Sequence, residues 1–215
     1  MTNLQLFNVH THKALSANEV QNCFPSSSYE GGRFSVGIHP CYIENPQEQW
    51  QQLLQRTSLE KCVAIGECGL DKRASTSITE QISLFEKHIR LSEELCKPLL
   101  IHCVRSYAEI IHLYKKLKPK QLWVLHGFHK NESTALSLLN VGIKLSFGEA
   151  LLYDQRLQLL GQQLDVSDFF LETDESSLSI EKLYQLVALW KKSTPEKLSE
   201  VFQTNFFQTK IIIPL

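Results

Sequence analysis

Six imidazole and carboxylate side chains stand at or near the ends of apolar stretches: His10, His12, Glu67, His102, His126 and Asp174. His10 and His12 are two residues apart, so on a strand both would point to one side and reach the same cation. Six such groups gathered without a metal would be costly to desolvate, and a pair of divalent cations removes that cost. The pattern predicts a metal centre of four histidines and two carboxylates.

Each of these residues, taken alone, has a simpler interpretation. Glu67 would cap the segment that follows it, and Asp174 would be a helix N-cap. His102 and His126 each follow an apolar run and would be hydrogen-bonded core histidines. The prediction of a metal centre therefore depends on the whole set lying at one place in the fold.

Short apolar segments that alternate with longer amphipathic ones would provide that place. The predicted strands are Leu4–His10, Glu19–Phe24, Arg33–Ile38, Cys62–Glu67, Pro98–Cys103, Leu122–His126, Gly142–Phe147 and Phe169–Asp174. Eight strands alternating with helices favour an α/β fold of the (β/α)₈ TIM-barrel type, in which active sites lie at the carboxyl ends of the strands.

Amphipathic spacing and helix-start signals predict helices at Ile78–Cys96, Ser106–Leu117, Glu132–Leu139, Leu178–Lys192 and Pro195–Phe206. The first three strands are too close together for full helices between them, so the barrel is expected to lack one or two early helices. We expect one domain over residues 1–215. His88 and His112 fall in predicted helices and are expected at the surface.

Composition narrows the class of protein. Charged residues make up 21% of the 215 residues and the formal net charge is −1, so no general basic field covers the protein. Residues 1–7 lack the pattern of a secretory signal, and no apolar run approaches the length of a membrane span. The six cysteines form no C-x-x-C pair and are interpreted as reduced thiols of a cytoplasmic protein. No membrane association or obligate protein partner is indicated.

The motifs around the six residues resemble those of the TatD family of metal-dependent hydrolases, a branch of the amidohydrolase-like barrels. The resemblance covers nearly the whole chain. Its motifs are Asn8-Val9-His10-Thr11-His12, Gly37-Ile38-His39-Pro40, the segment 64–71 (AIGECGLD), the segment 98–102 (PLLIH), Leu125-His126-Gly127-Phe128 and Leu171-Glu172-Thr173-Asp174.

The resemblance implies a deoxyribonuclease that needs divalent cations. By it, His10, His12 and Asp174 would bind one metal, His102 and His126 the second, and Glu67 would bridge them. Such a pair clamps the attacking and leaving oxygens of a phosphodiester displacement. Four histidine ligands favour zinc, manganese or iron over magnesium, whereas the family is commonly described with magnesium, so the identity of the metal stays open.

The predicted function is that of a metal-dependent hydrolase, a phosphodiesterase or deoxyribonuclease that uses a metal-activated water on DNA or a short oligonucleotide. Asp174 and Glu67 are predicted catalytic residues, and His39 would contact the substrate phosphate or the water, with a hydrogen-bonded turn histidine as the alternative. Other candidate functions are a related barrel enzyme that cuts amide or lactone bonds and a catalytically weak metal-binding remnant.

The chain departs from the family pattern at three places that bear on substrate and rate. Asn8 replaces the usual Asp, and segments 127–130 and 175–177 differ from the usual loops. Substrate contacts are predicted from basic and aromatic residues after strand ends. For phosphates these are Lys72, Arg73, Arg105 and Lys130, with solvated surface charges as the alternative; for base stacking they are Tyr107 and Phe128, with packing as the alternative.

Overall fold

The computed structural model describes residues 6–27 and 32–208. It contains one sheet of eight parallel strands in the order β1 to β8. The strands are β1 (Asn8–Thr11), β2 (Glu19–Cys23), β3 (Arg33–Val36), β4 (Cys62–Asp71), β5 (Leu99–Val104), β6 (Trp123–Leu125), β7 (Lys144–Phe147) and β8 (Phe169–Leu171). All eight predicted strands are present. The predicted start of the first, at Leu4, lies outside the described residues.

The sheet curls into a nearly closed barrel because β1 and the residues after β8 come together. The His12 backbone N–H donates to the Asp174 carbonyl at 3.0 Å, and the Asp174 N–H donates to the His10 carbonyl at 3.1 Å. An isolated parallel bridge pairs Thr11 with Asp174. The predicted TIM-type barrel is thus confirmed.

Seven α-helices surround the described part of the barrel: α1 (Pro46–Thr57), α2 (Ile78–Glu94), α3 (Tyr107–Leu117), α4 (Glu132–Leu139), α5 (Gln155–Gln163), α6 (Ile180–Lys191) and α7 (Pro195–Phe207). No helix connects β1 to β2, and none occurs in the described part of the link between β2 and β3. The expectation of missing early helices is therefore confirmed.

Two helices, α1 and α5, were not predicted because their apolar faces are narrow. Most of α1 is Gln and other polar residues, and it buries only Leu53 and Thr57. The α5 helix buries Leu157, Leu160 and Gly161. In contrast, α2 carries a complete capping box between Ser77 and Glu80 and buries seven residues, which makes its sequence signal strong.

The core lies inside the barrel and between the sheet and the helices. Every residue of β6 and β8 is buried, as expected for parallel strands covered on both faces. Helix α7 packs against the end of the barrel opposite the site, where the Phe206 ring lies against the Phe7 ring with centroids 5.4 Å apart. The Tyr184 hydroxyl donates to the Phe7 carbonyl at 2.6 Å. These contacts lie at the amino end of the strands, away from the rim at their carboxyl ends.

The expectation that His88 lies at the surface is wrong, whereas His112 is exposed as expected. His88 is fully buried in α2. Its Nδ1 lies 2.9 Å from the Leu84 carbonyl, and its Nε2 accepts the Ile38 backbone N–H at 3.1 Å. Burial lowers the pKa of His88 to about 4. A neutral ring thus connects α2 to the chain segment that precedes His39.

None of the six cysteines forms a disulfide bond, and only Cys41 and Cys96 are exposed. Within residues 6–27 and 32–208, no helix combines the length and the apolar character that a membrane span requires.

Candidate metal centre

The six predicted ligands converge at the carboxyl end of the barrel. Their ligand atoms form overlapping groups in which all members lie within 4.8 Å of one another: His10 with His12 and Glu67, His10 with His126 and Asp174, and Glu67 with His102 and His126. Three of these residues lie within β1, β4 and β5, and the other three follow the ends of β1, β6 and β8: His10, Glu67 and His102, and His12, His126 and Asp174. The strand-end pattern in the sequence thus corresponds to one cluster in space.

Glu67 lies at the middle of the cluster, and its two carboxylate oxygens face different histidines. Oε2 lies 3.5 Å from His10 Nε2 and 3.7 Å from His12 Nε2. Oε1 lies 2.6 Å from His126 Nε2 and 3.4 Å from His102 Nδ1. The carboxylate therefore separates one histidine pair from the other.

Asp174 completes the half of the cluster that contains the β1 histidines. Its Oδ1 lies 3.4 Å from Nε2 of both His10 and His12. Asp174 pairs with Thr11 of β1, and its backbone has a positive φ of 51°. Its side chain keeps 40% of its surface exposed, so the carboxylate faces both the histidines and the cavity.

A test of whether cations fit is provided by buried nitrogen atoms that lack hydrogen-bond partners. Both ring nitrogens of His10 and Nδ1 of His126 are in this state. Leaving a buried polar atom without a partner is costly, and a cation on His10 Nε2 would remove part of that cost. Imidazole nitrogens and carboxylate oxygens are also suitable donors for zinc or manganese. The residues therefore fit divalent cations.

Mutual attraction within the cluster shifts the pKa values of its members strongly. Burial is the largest influence on Glu67 and acts to raise its pKa, but the neighbouring His126 and His10 outweigh it and hold the pKa well below its usual range. Contacts first with Asp174 and then with Glu67 raise the pKa of His12 to about 9. In the metal-free protein, a proton on His12 offsets the negative charge of Asp174 and Glu67, and a bound cation would do the same.

His39 lies beside the cluster, and a backbone hydrogen bond at Nδ1 orients its ring. Its Nδ1 accepts the Cys41 backbone N–H at 3.1 Å, which leaves the proton of the neutral ring on Nε2. Nε2 lies 3.7 Å from Glu67 Oε1 and lines the cavity. Burial lowers the pKa of His39 to about 4. The ring is thus a neutral hydrogen-bond donor towards the cavity.

Two residues that sequence reasoning did not single out hold the ligands in place. Asn22 on β2 donates from Nδ2 to Glu67 Oε2 at 2.8 Å, and its Oδ1 accepts the Glu67 backbone N–H at 3.1 Å. Asp71 Oδ2 lies 3.0 Å from His102 Nε2, so that Nδ1 of this ring faces Glu67. The signal for Asp71 was its spacing of four residues from Glu67 along one strand.

Glu172 supports the cluster from one layer deeper, as its position two residues before Asp174 suggested. It accepts the Gly127 backbone N–H at 2.7 Å and the Ser146 hydroxyl at 2.5 Å. Its Oε1 lies 3.7 Å from His126 Nδ1, close enough for attraction though not for a hydrogen bond. Asn8, in contrast, directs its side-chain hydrogen bonds to Thr173 and not to His10 or His12.

A cavity of about 450 Å³ opens above the cluster. Among the residues that the structure describes, its lining includes no lysine or arginine. Of the predicted phosphate contacts, Lys72 is ion-paired with Glu109 and Arg73 with Asp71. Phe128, a predicted stacking residue, is only 2% exposed and packs on Phe147, so the packing alternative is correct for it.

Eight parallel strands with this donor set at the carboxyl rim form a barrel whose residues fit divalent cations. A family model described as "TatD related DNase" matches residues 4–209. The chain therefore belongs to the TatD family, as its motifs predicted.

Individual relatives agree with that class. The chain is 34% identical over 164 residues to an uncharacterized metal-dependent hydrolase of Buchnera aphidicola, covering 73% of this chain and 62% of that protein. It thus spans about three fifths of that relative's length. It is 37% identical over 88 residues to the human 3'-5' RNA nuclease TATDN2, covering 40% of this chain and 12% of that protein.

The fold has solved counterparts. The structure superposes on YJJV, a TatD homolog from Escherichia coli, with a TM-score of 0.71. The match covers 88% of this chain and 85% of that chain at 18% identity, which supports the architecture alone.

Proposed function

We propose that this chain is a single metal-dependent hydrolase domain that cleaves phosphodiester bonds in nucleic acid, DNA or short oligonucleotides, with two divalent cations. The observation that carries the proposal is the division of the Glu67 oxygens between two histidine pairs. One cation would be held by His10, His12 and Asp174 and the other by His102 and His126, with Glu67 shared. The metals would be zinc, manganese or magnesium.

Cations held there would supply Lewis acidity, which lowers the pKa of water and offsets phosphate charge. Asp174, ionised and partly exposed to the cavity, orients the attacking water and accepts its proton. His39 donates from Nε2 to a phosphate oxygen, the hydrogen bond that its tautomer favours. The chain's own residues thus provide the base and a neutral donor to the phosphate.

The choice of nucleic acid as substrate is supported by the family description and by the nuclease name of TATDN2. The walls that surround the cluster would admit a strand end or a short single strand more readily than the middle of a duplex. A cytoplasmic location stays a prediction from the sequence.

The test is a substrate panel on protein whose metal content has been counted. Protein stripped by a chelator is reloaded with zinc, manganese or magnesium and offered labelled single-stranded oligonucleotides, closed circular duplex, and a set of lactones and amides. We expect metal-dependent trimming of the oligonucleotides. Cleavage of a lactone or amide without any cleavage of oligonucleotide would favour the related enzyme class, and inactivity on the whole panel would favour a metal-binding remnant.

A matched pair of variants shows whether the activity belongs to this site. His126→Gln removes a ligand, whereas His129→Gln changes an exposed histidine that contacts the Gly127 carbonyl in the following loop. We expect the first variant to lose trimming and the second to keep it. Equal activity in the two would indicate a contaminating nuclease.

A further inference from the structure

Two aromatic rings form part of the cavity wall, and neither is accounted for by the metal centre. Phe24 follows β2, and Tyr42 lies in a short 3-10 turn after His39. Their ring centroids are 5.4 Å apart and their planes are perpendicular. Tyr42 keeps 54% of its surface exposed, while Phe24 is half-buried beneath it. We call this pair the aromatic shelf.

Three hydrogen bonds fix the backbone around Tyr42. The Tyr42 N–H donates to the His39 carbonyl at 2.9 Å. Gln49 in α1 donates from Nε2 to the Tyr42 carbonyl at 2.7 Å and accepts the Glu44 N–H at 3.2 Å. An exposed aromatic side chain on a fixed backbone gives up little conformational freedom when a planar ligand stacks on it.

The aromatic shelf is separated from the metal centre by one side chain. The His39 ring lies 5.1 Å from the Tyr42 ring and 4.3 Å from the His102 ring, measured between centroids. A phosphate in contact with His39 Nε2 would therefore have the shelf next to it, on the side away from the β1 histidines.

The charge of the wall indicates which part of a substrate fits there. Glu44 and Glu175 contribute carboxylates to the outer wall, and no lysine or arginine among the described lining residues balances them. A second phosphate against this wall would be repelled, whereas an uncharged planar ring would be tolerated. Stacking of a base on an aromatic side chain is favourable and tolerates any base, because every base has a π face.

We propose that the aromatic shelf is a base subsite: Tyr42 stacks on the nucleobase next to the phosphate that the metal centre holds. This inference rests on the proposed function and deepens it, because it makes the nucleobase, rather than further phosphates, the source of preference for nucleotides over other phosphate esters.

Binding measurements test the proposal without any cleavage. Metal-loaded protein is titrated by calorimetry with dCMP and with deoxyribose 5-phosphate, which lacks the base. We expect the wild type to bind dCMP at least about five-fold more tightly, the low end of what one stacked base contributes. Tyr42→Ala should bind the two probes equally, and Tyr42→Phe should keep the preference.

The control is Tyr153→Ala, which removes another exposed tyrosine that does not line this cavity. It should leave the preference for dCMP unchanged. Equal binding of both probes by the wild type, or the same preference in Tyr42→Ala as in the wild type, overturns the proposal.

A cleavage arm separates this inference from the proposed function. Single-stranded oligonucleotides that end in a normal or an abasic nucleotide are offered to the wild type and to Tyr42→Ala. If the wild type cuts neither, the proposed function fails while the binding result still decides the subsite. If the wild type cuts both equally well, the subsite proposal fails and the phosphodiesterase proposal stands.

Discussion

Asn22 binds Glu67 at two points, through the side-chain carboxylate and through the backbone N–H of the same residue. The paired contacts fix the plane of the carboxylate, so that Oε2 faces the β1 histidines while Oε1 faces His126 and His102. Gly37 lets the neighbouring segment lie close to Glu67, because an added Cβ there would be 2.4 Å from the Glu67 carbonyl oxygen. Asn22 on β2 therefore orients Glu67, and the segment after β3 packs closely against the Glu67 backbone.

Replacing Glu67 by Gln should remove bound metal, because the amide keeps the shape but loses the charge shared by both histidine pairs. Glu175→Gln, on the cavity wall outside the cluster, is the matched control. We expect affinity in the Glu67 variant to fall by more than the roughly 10- to 100-fold typical of residues that only support a ligand. Metal counting by mass spectrometry after equilibrium dialysis measures this, and equal occupancy in the two variants would contradict the bridging role.

Asp71→Asn should weaken metal binding by about 10- to 100-fold, because Asp71 orients His102 without facing the cations itself. Asp154→Asn is a close control, since Asp154 likewise accepts from an arginine two residues later but lies away from the site. A competition titration with a metal-sensitive dye provides both affinities. An Asp71 variant that binds as tightly as the control would show that His102 needs no orienting partner.

The site was predictable to the extent that chemistry follows strand ends. His102 and His126 each end an apolar run, and parallel strands bring such ends to one rim. Asp71 was missed because the predicted strand ends at Glu67, whereas β4 continues for four more residues. The register with β5 is irregular between Ile65 and Cys68, and the residue types there do not predict this extension. Asn22 was missed because an amide on a short strand has many ordinary explanations.

Helices were predictable where apolar residues recur at helical spacing because one face is buried. Helix α2 has this spacing, whereas the Gln-rich α1 buries too little apolar surface to produce it. His88 was expected at the surface because histidine is a polar residue. In the structure both of its ring nitrogens have hydrogen-bond partners inside the fold. The identity of a hydrogen-bond partner that is 50 residues away cannot be read from local sequence.

Asn8→Asp should preserve metal content but destabilise the fold. Asn8 is buried and donates from Nδ2 to the Thr173 hydroxyl at 2.8 Å, while its Oδ1 accepts the Thr173 N–H at 3.2 Å. A carboxylate cannot donate, so we expect the free energy of unfolding to fall by about 1–3 kcal/mol. Urea denaturation measures the change. Thr173→Val breaks the same contact, so the two losses should not add in the double variant.

The stability of the metal-free protein, relative to that of His88→Gln, should fall as the pH is lowered from about 6.5 to 5. For His88, the folded pKa of about 4 lies below the unfolded value near 6.5, so the unfolded chain takes up the proton first. The contribution is complete above pH 6.5 and is lost as the pH falls towards 4. Between neutral pH and pH 5, the free energy of unfolding of the wild type should fall by about 2 kcal/mol more than that of His88→Gln. Parallel urea curves would contradict this assignment.

Binding of a single-stranded oligonucleotide should depend only weakly on salt. Each phosphate neutralised by protein on a single strand contributes a slope of about −0.7 in log affinity against log salt. Because Lys72 and Arg73 are already ion-paired, we expect a slope no steeper than roughly −1.5. Arg105→Ala should raise the apparent KM, whereas Arg90→Ala, on α2, should not. A steeper slope in the wild type would reveal a larger basic surface.

The hydrogen bonds between Asp174 and the β1 histidine segment join the earliest ligands in the chain to the latest. During synthesis, His10 and His12 emerge more than 160 residues before Asp174. A chain whose β8 has not yet docked still holds Glu67, His102 and His126 on a contiguous part of the sheet. Uptake of a cation by His10, His12 and Asp174 would therefore require that β1 and the segment after β8 have met, and such a cation would stabilise the junction that closes the barrel.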